Sequence, residues 1–281
     1  MARIESLDVL LDPSGKMLLA ETYDGFIENV QKGTISSQLK NTDLSGDPMA
    51  GTVEAKRFQN ATSKNYGTAR TAGAGDKVEG KPVTIAIDQN KEFIEEIEQK
   101  DVSLLGVDGL IAKRAANHSQ RMAAELDTAF FAEGKTSGTA FTPAPGTTAI
   151  EDIIEEAIVT LETLKNDYID GIDRDMMSVT CEPGTYSKLR KYLDTGVNNA
   201  NVNTDAESFV NYHGVKFYSS NRLPAGTKFE LMCDGSIAQP VRSTPYSAER
   251  IPLSEAIGVS LFFYYGTKAV TPETILTYTP A

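Results

Sequence analysis

Apolar positions along this chain follow two rhythms, and the change between them marks its most telling stretch. Val83, Ile85 and Ile87 alternate with Thr84, Ala86 and Asp88, which predicts a half-buried strand, and Phe93, Ile94 and Ile97 continue the apolar signal beyond it. From Val107 the period lengthens. Leu110, Ile111, His118, Met122, Leu126, Ala129 and Phe130 fall mainly three and four apart, while Lys113, Arg114, Gln120, Arg121 and Glu125 fall largely elsewhere. This is the pattern of one amphipathic helix over Val107–Glu133, about 40 Å long at a 1.5 Å rise. Gly134 is its expected stop. Leu110, Met122, Leu126 and Phe130 are the expected core of its packing face.

The segment ahead of the helix has a different character. Between Tyr66 and Gly80 lie Gly67, Gly73, Gly75 and Gly80, with almost no large apolar side chain. A stretch this long without a core of its own is functional or disordered rather than a tight turn. Residues 1–52 offer too few apolar positions to close a core and read as an arm, with a short helix expected within Lys16–Val30.

After the long helix, residues 134–147 are rich in Gly, Pro and Thr and mark the expected domain boundary. Thr148 and Glu151 have capping-box spacing for a second helix, whose face is Ile150, Ile153, Ile154, Ala157, Leu161 and Leu164. A strand is predicted over Met176–Thr180, then a helix opened by Pro183 and running through Tyr192. Thr195–Glu207 reads as a surface loop, followed by strand-like runs HGVKFYSS, TKFELMC, GVSLFFYY and TILTYT. Strands and helices are interspersed without a regular βαβ repeat, so the fold class is α+β.

Composition narrows the chemistry. At 281 residues and 40% apolar the chain can bury a real core. A net charge of −12, with Lys and Arg scattered singly, argues against a domain that reads nucleic-acid sequence through a basic stripe. Cys181 and Cys233 lack metal spacing and suit a reducing compartment as small buried hydrophobes. No window resembles a secretory signal or a membrane span, so a soluble protein made in a cytoplasm is expected. Catalytic patterns fail one by one. The third glycine after Gly73 and Gly75 is misplaced for a dinucleotide loop, and neither a phosphate-binding P-loop nor a nucleophile elbow is present. Asp173 and Asp175 read as a solvated turn, Glu92, Glu95, Glu96 and Glu98 as a solvated face, and His118 as a residue at the edge of the helix packing face. A Cys–His pair would need long-range contacts that no local motif supports. The reading is of no enzyme, no cofactor and no metal.

The order of parts resembles the major capsid protein of tailed bacteriophages, the HK97-type fold. PVTIAIDQNKEFIEEIEQKDV is similar to the returning strand of that family's extended E-loop, leading into the spine helix. IEEAIVTLETLKNDYIDGIDRDMMSVTCEPGTYSKLRKYLDTG resembles the opening of the axial domain. FVNYHGVKFYSSNRLPAGTKFELMCDGS and SEAIGVSLFFYYGTKAVTPETILTYT resemble later strands, the second returning to the peripheral domain. The resemblance covers roughly 53–281 and implies an N-terminal arm (1–52), an E-loop hairpin (53–90), a peripheral domain (91–146 and 250–281) and an axial domain (147–249).

The function it implies is self-assembly, through hexamers and pentamers, into the icosahedral head of a tailed phage. Such a shell encloses double-stranded DNA without reading its sequence and involves no membrane; its subunits are made in the host bacterial cytoplasm and reside in the virion. Tyr66, Arg70, Lys77 and Lys81 are the E-loop residues expected to contact neighbouring subunits. About 50 residues precede the E-loop, fewer than a fused scaffolding segment needs, so a separate scaffolding protein is expected, with a portal and, in some shells, a decoration protein. Some members cross-link an E-loop Lys to an Asn of the peripheral domain. Here Arg250–Thr271 contains no Asn and Val259–Tyr265 no Glu, so no such link is expected at Lys77 or Lys81. The competing readings are an encapsulin-type nanocompartment, set apart by the long N-terminal arm, and a soluble enzyme with an unrecognised site.

Overall fold

The computed structural model describes residues 35–46, 51–68, 77–98, 107–195, 211–244, 247–254 and 256–280. In chain order the helices are α1 (Ser36–Leu39), α2 (Val107–Ser137), α3 (Ile150–Glu162) and α4 (Pro183–Thr195). The strands of the first half are β1 (Thr52–Phe58), β2 (Gly80–Ala86), β3 (Gln89–Ile97), β4 (Thr139–Ala140) and β5 (Met177–Cys181). They are followed by β6 (Asn211–Tyr212), β7 (Val215–Ser219), β8 (Phe229–Cys233), β9 (Ile237–Ala238) and β10 (Val241–Ser243). The last are β11 (Ser247–Arg250), β12 (Ile257–Tyr265), β13 (Lys268–Ala269) and β14 (Ile275–Tyr278). The helix expected within Lys16–Val30 and the loop expected over Thr195–Glu207, apart from Thr195, lie outside the described residues.

Two compact units divide the chain. The first takes in Met1–Gln38, Ile87–Ala129 and Pro240–Gly266, the second Leu39–Ala86, Phe130–Gln239 and Thr267–Ala281. The boundary expected at 134–147 is therefore not where the packing changes, because both sides of it belong to the second unit. Nor does 250–281 stay together: β11 and β12 lie in the first unit, and β14 joins the main sheet of the second.

In the first unit β12 is the central strand. It pairs antiparallel with β3 over all nine residues, from Gln89↔Tyr265 to Ile97↔Ile257. Its other edge is shared end to end by β11 and β10. The alternation in IGVSLFFYY explains this position, since Val259, Leu261, Phe263 and Tyr265 are buried on one face, and the last three cluster with Met122 and Leu126 of α2. Each such side chain contributes about 1.5–3 kcal/mol by leaving water. Phe262 and Tyr264, on the alternate face, are half-buried.

The single returning strand expected over PVTIAIDQNKEFIEEIEQKDV is two strands. β2 ends at Ala86, and β3 begins at Gln89 in a different sheet. Glu95, half-buried, is not a freely solvated member of the expected acidic face, whereas Glu92, Glu96 and Glu98 are exposed. Arg114 of α2 grips it with two nitrogens, and His118 Nε2 stands 3.2 Å from its Oε2. His118 itself is buried and stacked on Phe93, with ring centroids 5.1 Å apart, so it belongs to the core rather than to its edge. Arg114 is the main cause that holds the Glu95 carboxyl below its ordinary range, against the opposing effect of burial. Asp127, also buried on α2, accepts the backbone N–H groups of Ser36 (3.0 Å) and Ile35 (3.4 Å), capping α1 from a distant part of the chain.

The second unit is built on a six-stranded sheet in the order β4-β14-β8-β5-β7-β6. The β5–β7 and β4–β14 pairs are parallel and the rest antiparallel. Met177, Val179 and Cys181 of β5 form one apolar face with Phe229 and Leu231, covered by Ile154, Ile158 and Leu161 of α3 and by Tyr186 and Leu189 of α4. The opposite face is more polar, carrying Ser178, Thr180, Glu230 and Thr277, all buried. α3 starts one residue later than the capping box required: Ala149 is its N-cap, and no side chain caps it. Glu156 ties down the preceding loop instead, accepting from Thr147 Oγ1 (2.7 Å) and the Ala144 N–H (2.9 Å).

α2 does not stop at Gly134 but continues to Ser137. Gly134 is buried and stands against Glu230, where a Cβ would fall 2.7 Å from Oε2. The residue that looked like a terminator is a point of close approach. The end of the arm expected over 1–52 is also anchored. Leu39 is buried, Gly235 N–H donates to its carbonyl (2.8 Å), and Asn41 bonds to Ile237 O (2.8 Å) and Gly235 O (2.9 Å).

Candidate functional site

The long polar arm of the sequence is a two-stranded hairpin with a buried root and an exposed end. β1 and β2 pair from Thr52↔Ala86 to Phe58↔Gly80. At the root, alternate residues turn one face inward: Ala55 and Ile85 cluster with Ala238 and Val270, and Val53 is buried beside them in sequence. Lys268 Nζ adds a hydrogen bond to Thr84 O at 3.0 Å.

Farther out, Arg57 makes a further attachment. Its guanidinium pairs with Glu273 and lies 4.2 Å from the centroid of the Tyr168 ring. The next residues keep one more link, Asn60 N–H to Asp167 O at 3.0 Å. Beyond it the described residues are exposed, apart from half-buried Gly67. Phe58 is 57%, Val78 82% and Tyr66 93% exposed, three of the exposed large hydrophobic side chains among the described residues, all on this hairpin.

Of the E-loop residues singled out from sequence, Tyr66, Lys77 and Lys81 are exposed on this hairpin, and Lys77 and Lys81 make no ion pair among the described residues. Arg70 lies outside the described residues. On the long helix Met122 and Leu126 are buried in the first unit's core. Phe130 is fully buried in the second unit, edge-on to Phe131 at 5.6 Å, so the face expected as one core serves two. The side chain of Leu110 lies outside the described residues.

Arg57 was not singled out from sequence. One Arg next to Lys56 on a strand that also carries Glu54 gives no local sign that Glu273 and Tyr168 will meet it. Replacing it with Ala is expected to loosen the outer hairpin while leaving the root paired. The loss of a charge-assisted contact is about 1.5–3 kcal/mol, and hydrogen exchange should rise at Phe58 and Gln59 but not at Val53.

Catalytic chemistry finds little support in these surroundings. Burial pushes the Cys181 thiol far up, and burial followed by the Asp234 charge pushes Cys233 up to about 11, the opposite of an activated nucleophile. His213 occupies a tight turn beside Glu155, its Nδ1 3.0 Å from Oε2, and no hydrogen bond joins either histidine to a cysteine among the described residues. Among the described residues no group of three or more His, Cys, Asp or Glu side chains is placed to hold a metal, and no helix is long and apolar enough to cross a membrane.

No protein-family model matches the sequence, and no curated protein does. Solved structures do match, over most of their length. One from Mycobacterium phage Che8 is 20% identical, with a TM-score of 0.64 over 87% of this chain and 90% of that one. The capsid of Cyanophage P-SCSP1u is 13% identical, with a TM-score of 0.65 over 88% of each chain. A virus-like particle from Pyrococcus furiosus is 12% identical, with a TM-score of 0.58 over 93% of this chain and 98% of that one. Identities this low speak to fold alone, and the fold of this chain is the HK97-type fold of phage capsids.

Proposed function

We propose that this chain is the major capsid protein of a tailed phage, a structural rather than catalytic subunit that assembles with copies of itself into an icosahedral shell around double-stranded DNA. The observation that supports the reading best is the hairpin: anchored at its root, it exposes Phe58, Tyr66 and Val78 beyond Arg57. A monomer gains nothing from holding apolar side chains in water at the end of an arm. A shell subunit gains area on its neighbours, and large repeated interfaces make the assembly's strength collective.

In this reading 53–90 acts as the E-loop, with Tyr66, Arg70, Lys77 and Lys81 at its contacts, and α2 acts as the spine. Hexamers and pentamers close around 147–249 as the axial domain. The acidic net charge of −12 suits a wall that encloses a polyanion without gripping it. A separate scaffolding protein and a portal are its expected partners, with a decoration protein as in some shells, and the virion its place. Negative-stain microscopy of the purified protein, alone and coexpressed with its neighbouring genes, tests the proposal. Closed shells support it, whereas small discrete oligomers under both conditions overturn it.

A further inference from the structure

Among the described residues Glu230 is a buried acid without a partner. It lies in the middle of β8, fully buried, and neither carboxyl oxygen has a hydrogen-bond partner. Its register neighbours are Thr180 on β5 and Thr277 on β14, both buried, and the Thr180 hydroxyl is also unpartnered. Over this polar row lies Gly134 of α2, so near that a Cβ there would fall 2.7 Å from Glu230 Oε2 and 3.5 Å from Ile237 Cδ1.

The surrounding charges are spent elsewhere. Lys135, whose field reaches Glu230, donates to Ala225 O (3.0 Å). Glu133 accepts from Ser137 Oγ (2.7 Å) and Ala269 N–H (3.0 Å). Lys216 on β7 is paired with Asp234 (2.8 Å), which also accepts from Ser178 Oγ (2.5 Å). Lys228 and Glu182 pair with each other (2.6 Å). Tyr218, opposite Thr180 on β7, is the remaining titratable group of that row. A carboxylate in this position would be a buried charge with neither counter-ion nor donor, whereas the acid needs only a place for one proton.

We propose that Glu230 is a proton-dependent latch: as the neutral acid it lets the Phe130–Ser137 end of α2 pack against β8, and its ionisation loosens that end from the sheet. Thermodynamic linkage gives the direction. Burial raises the folded-state pKa well above the ordinary 4.5, so the acid form favours folding fully below that pH. The contribution declines as pH rises toward the folded-state value. Glycine at 134 serves the latch, because any larger residue would separate the helix from the carboxyl group.

The test uses the full chain and two variants, Glu230→Gln as the neutral isostere and Glu230→Met as an apolar side chain of similar length. The wild type should lose thermal stability relative to both variants as pH rises above about 4.5, and exchange at the Phe130–Ser137 amides, corrected for intrinsic rate, should accelerate in the wild type alone. Infrared spectra followed through the pH titration should show a protonated-carboxyl stretch that persists above pH 4.5 in the wild type and that both variants lack. A wild type and variants with parallel pH profiles, the absence of that stretch, or a failure of both variants to fold would each overturn the latch.

Discussion

Replacing Gly138 with alanine is expected to destabilise the protein by about 3 kcal/mol, toward the upper end for an overpacked site. Gly138 follows α2, donates its N–H to Gly134 O (2.9 Å), and turns the chain into β4, which pairs with β14 from Thr139↔Leu276. A Cβ at this point would meet Gly134 O at 2.5 Å, Ile275 Cγ2 at 2.7 Å and Ile275 O at 3.0 Å. Two of these atoms are backbone, and Ile275 is fully buried, so no side-chain rotation can relieve the contact. The melting temperature should fall by roughly 6–12 °C at this chain length. Gly184→Ala is the matched control. A Cβ there meets nothing within 4 Å, in the first turn of α4, so the change should be neutral or stabilising by about 0.5–1 kcal/mol. Equal losses for the two variants in calorimetry would show that contact at Gly138 is not what matters.

The second large effect concerns assembly rather than stability. Replacing residues 61–78 with a short Asn-Gly turn keeps Gln59 opposite Glu79, whose carbonyl accepts the Gln59 N–H (3.1 Å), and keeps the Asn60 bond to Asp167. Nearly all described residues in the removed stretch are exposed, so the folded subunit loses almost no core. Shortening the loop lowers its closure entropy by about 0.6 kcal/mol per halving, so stability should hold or rise slightly. Particle formation should be abolished, because Tyr66, Lys77 and Val78 go with the hairpin end. Sedimentation separates the outcomes. A soluble, cooperatively folding subunit that forms no shells fits the proposal, while shells of normal size would show that the hairpin is dispensable.

Several elements were readable in the sequence because local rhythm and local burial agree there. GVSLFFYY alternates strictly, and β12 is central to its sheet with alternate residues buried. Met122 and Leu126 have helical spacing and are packed as that spacing requires. Pro183 opens α4 because its missing N–H costs nothing in a first turn. The exposure of the described outer residues of the hairpin was legible for a simple reason: a polar stretch with almost no large apolar residues has little with which to make a core.

What escaped the sequence depends on partners distant along the chain. Arg57 is read as one charge among many until Glu273 and Tyr168 are brought beside it. Glu95 belongs to an acidic run, yet a helix about twenty residues on supplies the Arg114 that separates it from the others. Gly134 has the local look of a helix stop, because glycine terminates helices when nothing opposes it. Here Glu230, close by in space and far in sequence, makes the absence of a side chain a packing requirement, and the helix continues.

The pattern of residues alone settled the type of several elements, α2, α3, α4 and β12 among them, because backbone periodicity and side-chain solubility are properties of neighbours in the chain. Tertiary structure alone decided that Met122 and Phe130 serve different units, that 250–281 divides between them, and that a glutamate lies in the dry centre of a sheet. Those outcomes depend on which surfaces exclude water from one another, and no residue carries that information until its distant partners are in place.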